Sequence, residues 1–121
     1  MSESKLQKAV AKLLDASGLL YCAVPNGGHR SIVTASRLKA EGVKRGVPDL
    51  LIFDEFCDYR KPGIYNGLAI ELKDGKKGVV SADQKRWMER LRECGWRAEV
   101  CRSGDEVIAL LSECYPEKFS A

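Results

Sequence analysis

The sequence predicts an α/β fold, a small central mixed β-sheet flanked by helices in the order α-β-α-β-β-α-β-α. Three observations carry this. Apolar residues recur at helical spacing near both ends, Leu50-Leu51-Ile52-Phe53 is a continuous apolar run of the kind found in buried strands, and residues 67–73 (GLAIELK) alternate as a strand does. At 121 residues the chain is expected to be a single domain spanning 1–121. With 45% apolar and 31% charged residues it has the composition of an ordinary globular protein, not of a disordered or fibrous one. No apolar run approaches the roughly 20 residues of a membrane span, and no signal peptide is visible. A cytoplasmic protein without a membrane partner is therefore expected.

The elements follow in order. Residues 2–17 form a helix through Leu6, Val10, Leu13 and Leu14, ended by Gly18. Residues 19–24 (LLYCAV) read as a short strand and Pro25-Asn26-Gly27-Gly28 as a turn. Residues 31–41 read as a helix closed by Gly42, and Gly46-Val47-Pro48 leads into the strand Leu50–Phe53. Residues 54–66 are expected to be a polar loop around Pro62-Gly63, followed by the strand at 67–73 and a helix over 81–94. Trp96 to Cys101 reads as a strand, and residues 104–114 as the last helix, opened by the capping box Ser103-x-x-Glu106.

The five cysteines form no close pairs, so a zinc site or disulfide framework is not expected, and they read as reduced, mostly buried thiols. With one histidine, His29, a Ser-His-Asp or Cys-His mechanism would rest on that residue alone. Acid–base or metal chemistry would have to come from carboxylates and lysines. The net charge of +3 is uneven, with five basic residues from Arg30 to Arg45 and a second cluster at Lys73, Lys76 and Lys77. These segments can suit a polyanionic partner, but charge alone favours a solvated surface.

Several polar side chains fall where the pattern calls for apolar ones. With Leu6 at zero on a wheel of about 100° per residue, the apolar arc of the first helix runs from roughly −20° to +80°, and Glu3 falls near +60°. In the helix at 81–94, Gln84 lies at about +20° in an arc made by Trp87, Met88, Leu91 and Cys94. Glu71 points away from Ile70 and Leu72, on the same strand face as Lys73. Simple alternatives stand beside each: a frayed terminus for Glu3, the capping box Ser81-x-x-Gln84, and an exposed Glu71–Lys73 salt bridge.

Asp49 changes the balance. If the strands at 50–53 and 67–73 pair antiparallel, Asp49 lies near Glu71 across the ladder, and two carboxylates share one sheet edge with a lysine beside them. A hard divalent cation relieves the repulsion, and Mg²⁺, which takes one or two carboxylates and keeps several waters, suits the pair. Mn²⁺ accepts the same oxygen ligands. Pro48-Asp49 followed by Glu71-Leu72-Lys73 resembles the motif of the PD-(D/E)XK nuclease superfamily. With Gly46-Val47-Pro48-Asp49-Leu50-Leu51, Ile70-Glu71-Leu72-Lys73 and Ser81-Ala82-Asp83-Gln84-Lys85, the chain from Glu3 to about Leu111 resembles the VRR-NUC family, virus-type replication–repair nucleases.

The resemblance implies a restriction-endonuclease-like fold and a Mg²⁺-dependent endodeoxyribonuclease. Asp49 and Glu71 would hold the metal, with the backbone carbonyl of Leu72 as a further ligand and Glu3 acting through water or a second metal. Lys73 would be the catalytic lysine, and Gln84 would support Lys73 or the substrate phosphate. Asn26, Arg30, Lys39, Lys44, Arg45, Lys76 and Lys77 are the candidates for gripping DNA, although Asn26-Gly27-Gly28 is equally a simple turn. Small stand-alone relatives imply a homodimer that cuts branched DNA such as a Holliday junction, in the host cytoplasm if the source is a virus or prophage. Phe56, Tyr59, Ile64 and Tyr65 are candidates for that interface or for packing back on the core. A flap or nicking nuclease of the same chemistry, and a non-catalytic DNA-binding module, remain as other readings.

Overall fold

The computed structural model describes residues 2–25, 31–58 and 60–119, with only the main chain of Lys61. In chain order the elements are α1 (Glu3–Ser17), β1 (Tyr21–Ala23), α2 (Ile32–Ala40), β2 (Leu50–Ile52), β3 (Phe56–Asp58), β4 (Lys61–Tyr65), β5 (Leu68–Leu72), α3 (Ala82–Glu93), β6 (Arg97–Cys101) and α4 (Gly104–Cys114). Local chemistry sets the helix ends. The Ser2, Ser31, Ser81 and Ser103 hydroxyls each accept a first-turn N–H, and Gly18 closes α1 at φ +82°, where a side chain is disfavoured.

Four strands form the central sheet in the order β1-β2-β5-β6, antiparallel at the first two pairings and parallel between β5 and β6. The sheet is mixed and helices flank it, as the sequence predicts. The period of two divides its residues between two faces. Leu50, Ile52, Leu68, Ile70 and Leu72 pack with Leu6, Val10 and Leu14 of α1 and Val107, Leu110 and Leu111 of α4. Ala69 and Ala98 meet Met88 of α3 on the other face, bordered by Leu51, Leu91, Trp96 and Val100. Glu71 and Lys73 share this second face by alternation.

The expected loop at 54–66 is instead a two-stranded hairpin, β3 with β4. Its aromatic residues decide this. Phe56 is buried, stacks on Tyr65 at 5.1 Å and meets the fully buried Tyr115 edge-on at 5.1 Å. Phe56 and Tyr65 thus belong to the core and Ile64 is exposed, while Tyr59 lies outside the described residues. The thiols need a second correction: Cys101 and Cys114 are buried, but Cys22, Cys57 and Cys94 are exposed, on an edge strand, the hairpin and the end of α3. The apolar arc of α3 is correspondingly narrower than the wheel suggests, with Met88 alone fully buried. Helix α2 buries no residue, and Ile32 and Val33 face solvent. Among the described residues no helix is long and apolar enough to cross a membrane.

One glycine seats α3 on the sheet. Gly46 has φ +86°, and a Cβ there would lie 2.6 Å from the main-chain carbonyl carbon of Asp83 in the first turn of α3. Backbone strain and a backbone collision act together, so Gly46→Ala is expected to cost about 1–3 kcal/mol in chemical denaturation. An unchanged denaturation midpoint would show that the 43–48 segment and α3 do not meet this closely.

Candidate functional site

Strand β2 opens directly after Asp49. Leu50 pairs with Ile70, so the same register sets Asp49 opposite Glu71 and Pro48 opposite Leu72. On one side Asp49 continues the sheet, its carbonyl accepting the Val24 N–H at 2.9 Å. On the other its side chain takes over from the ladder, Oδ2 accepting the Leu72 N–H at 2.8 Å. The Leu72 carbonyl points to the same side as its N–H, as in any extended strand. Pro48, buried opposite it, has no N–H to offer. The ladder therefore ends with a carboxylate and a carbonyl oxygen side by side.

Glu71 and Lys73 do not form an exposed salt bridge. Glu71 is 2% and Lys73 9% exposed, and Nζ of Lys73 lies 3.7 Å from Oε2 of Glu71. The same Oε2 accepts from Nε2 of Gln84 at 3.0 Å, while Oε1 is buried without a hydrogen-bond donor among the described residues. Burial foremost, and next the charge of Asp49, push the Glu71 carboxyl up to about 8, with Lys73 pulling the other way.

Gln84 completes the capping box weighed for it, and its amide reaches Glu71 rather than Lys73. Its Oε1 accepts the Ser81 N–H at 2.9 Å and its own N–H donates to the Ser81 hydroxyl at 3.1 Å, completing the capping box of α3. The opposite end of the amide is then free to donate to Glu71. The cap fixes the side chain, and the side chain orients the carboxylate.

Other candidates stand further out. Glu3 is exposed at the start of α1 and does not enter the core arc suggested by the wheel. It lines one cleft with Ser4, Gln7, Val24 and Asp49. Lys39, Lys44, Arg45, Lys76 and Lys77 are exposed. Asn26 and Arg30, with His29, lie outside the described residues. Burial pushes the thiols of Cys101 and Cys114 up to about 12 and about 11, which makes both poor nucleophiles.

The donors fit a hard divalent ion. Two carboxylates meet where their charges repel, and one buried carboxylate oxygen lacks a donor among the described residues. No third His, Cys, Asp or Glu joins them among the described residues. An oxygen-only set of this size matches ions that keep most of their water, Mg²⁺ or Mn²⁺, over zinc.

A mixed sheet armed at the end of its central antiparallel pair by two carboxylates and a lysine is the architecture of the restriction-endonuclease-like fold. The sequence points the same way: residues 1–105 match the VRR-NUC domain, and the chain belongs to that family. Two solved structures are similar. One, described as a VRR-NUC domain protein, is 25% identical, with 96% of this chain and 89% of that one covered and a TM-score of 0.73. The other, described as a VRR-NUC domain, is 23% identical, with 95% and 99% covered and a TM-score of 0.61, a likeness of fold. No curated protein matches the sequence. Family membership makes the chain a nuclease of the PD-(D/E)XK type, a class that acts on DNA and uses a divalent metal.

Proposed function

We propose that this chain is a Mg²⁺-dependent, structure-selective endonuclease that hydrolyses phosphodiesters in branched DNA, works as a homodimer and takes the four-way Holliday junction as its substrate. The observation that carries the chemistry is the buried Glu71 with one oxygen open, opposite Asp49 and 3.7 Å from Lys73. Asp49, Glu71 and the Leu72 carbonyl would hold the metal, and Glu3 would act through water from the adjoining cleft. When bound, the ion supplies Lewis-acid polarisation of the scissile phosphate and activation of water.

The side chains divide the remaining work. Lys73 orients the attacking water and offsets negative charge that develops on the phosphate in the transition state. Gln84 keeps Glu71 in place through its amide and leaves Oε1 without a hydrogen-bond donor among the described residues. Lys39, Lys44, Arg45, Lys76 and Lys77 attract the DNA backbone, with Asn26 and Arg30 assigned to the same task. That grip is sequence-independent and is expected to weaken as salt rises. The homodimer follows from the proposed substrate: two copies related by a two-fold axis present two sites to the two strands of a symmetric junction.

The test is cleavage of a synthetic four-way junction, a 5′ flap, a splayed duplex and a linear duplex, each with Mg²⁺, Mn²⁺ or chelator, alongside the solution mass. Paired symmetric cuts in the junction by a metal-loaded dimer are the expected result. Preferential flap cutting by a monomer would discard the junction assignment and keep the chemistry. Binding without cleavage of any substrate would make the chain a DNA-binding module.

A further inference from the structure

We infer that Arg102 is a positioning residue for Lys73, acting through the turn at 74–78. The inference rests on the reading of Lys73 as catalytic. Arg102 follows the last residue of β6, Cys101, whose carbonyl accepts the Lys73 N–H at 3.0 Å. The two strand ends therefore lie side by side. From there Nη1 of Arg102 donates to the carbonyls of both Gly75, at 2.9 Å, and Gly78, at 2.6 Å. One nitrogen thus ties the two ends of the turn, which is closed by a long Gly78 N–H to Asp74 carbonyl bond of 3.3 Å and contains Gly75 at φ +52°.

The turn in turn bears on the lysine. A Cβ on Gly78 would lie 2.9 Å from Cβ and 3.2 Å from Cδ of Lys73. The main chain of Gly78 is therefore pressed along the aliphatic stem, and only a residue without a side chain allows that approach. A lysine stem is flexible, and ordering it is entropically costly. Here the turn confines it, Lys73 is 9% exposed, and Nζ is left facing Glu71. The other end of the chain of contacts is anchored on α4. The Arg102 N–H donates to Oε1 of Glu106 at 3.2 Å, and Ser103 caps α4. Arg102 thus links the start of α4 to the reactive lysine while touching neither Glu71 nor Asp49.

Acting through Lys73 has a kinetic signature. Loosening the turn lets the Lys73 stem sample several rotamers, which lowers the fraction of complexes with Nζ in place and so lowers kcat. Lys76 and Lys77 keep their charge, so KM is expected to change little. The experiment is steady-state cleavage by Arg102→Ala, Arg102→Lys and Lys73→Ala, with ¹⁵N order parameters over residues 74–78. For Arg102→Ala we expect kcat to fall about tenfold or more, KM to stay within about threefold, and order to drop in the turn but not in α4. Arg102→Lys, whose ammonium still reaches a carbonyl, is expected to recover part of kcat.

Unchanged kcat in Arg102→Ala, with Lys73→Ala inactive, would overturn the inference and leave the catalytic reading intact. So would a raised KM at constant kcat, the mark of a direct phosphate contact. Full activity in Lys73→Ala would overturn the catalytic reading itself, and the inference with it. Should Arg102→Ala not fold, Gly78→Ala probes the same contact from the other side. The same kcat loss at constant KM is expected there, and an unchanged kcat would overturn the inference.

Discussion

Lys73→Ala is expected to lower kcat for metal-dependent DNA cleavage by about 10²–10⁴-fold while leaving DNA binding within a few-fold of the wild type. The reason is position. Lys73 is almost wholly buried beside Glu71, so truncation removes a cation at the proposed site of bond cleavage and little of the exposed basic surface. The fold should survive, because truncation also removes the need to bury an ammonium group. Single-turnover cleavage and a binding isotherm on the same junction check both halves. Weakened binding at an unchanged cleavage rate would assign Lys73 to DNA grip.

The second large effect concerns Glu71 and pH. Its carboxyl is raised from the 4.5 of an unfolded chain to about 8, by burial first and by Asp49 second. Below pH 4.5 both states hold the proton. As pH climbs from 4.5 to 8, the unfolded chain releases it and the folded protein keeps it. Metal-free stability therefore falls through that window, by an amount on the order of a few kcal/mol, and levels off above it. Glu71→Gln should remove this slope and make the metal-free protein more stable than wild type at pH 8, while abolishing cleavage. Millimolar Mg²⁺ should raise the melting temperature of the wild type at pH 8, because binding to the folded state alone stabilises it, and should do so far less in Glu71→Gln. Thermal unfolding at several pH values, with and without Mg²⁺, reads all three. A flat wild-type profile together with no Mg²⁺ response would count against a buried carboxylate poised for a metal.

Much of this was legible because it rests on periodicity. Alternation in residues 67–73 puts Glu71 and Lys73 on the face opposite Ile70 and Leu72, and the antiparallel register brings Asp49 across from Glu71. Pro48 also carries meaning that the sequence only hints at: as a residue without an N–H, it leaves the Leu72 carbonyl without a ladder donor. The hairpin at 56–65 was hidden because Pro62-Gly63 and the charged residues around it read as a loop, and its decisive contact, Phe56 with Tyr115, spans about half of the chain. Gln84 could not be divided between cap and site by pattern alone, since one amide has two ends and serves both. Arg102 gave no signal at all. An arginine after a strand is commonplace, and its two carbonyl partners at Gly75 and Gly78 follow only from β6 lying parallel beside β5.

Asp49 and Glu71 are proposed to form a metal-dependent hydrolytic site. Single-turnover cleavage of a labelled four-way junction by wild type and Asp49→Asn, at saturating enzyme with and without Mg²⁺, tests it most directly. Asparagine keeps the size of the side chain and can still accept the Leu72 N–H bond, so the sheet end should hold while a charged ligand is lost. Cleavage by the wild type with Mg²⁺, and by neither protein without it, with Asp49→Asn slower by about 10³-fold or more, is the result expected. Cleavage by Asp49→Asn at the wild-type rate would contradict the account.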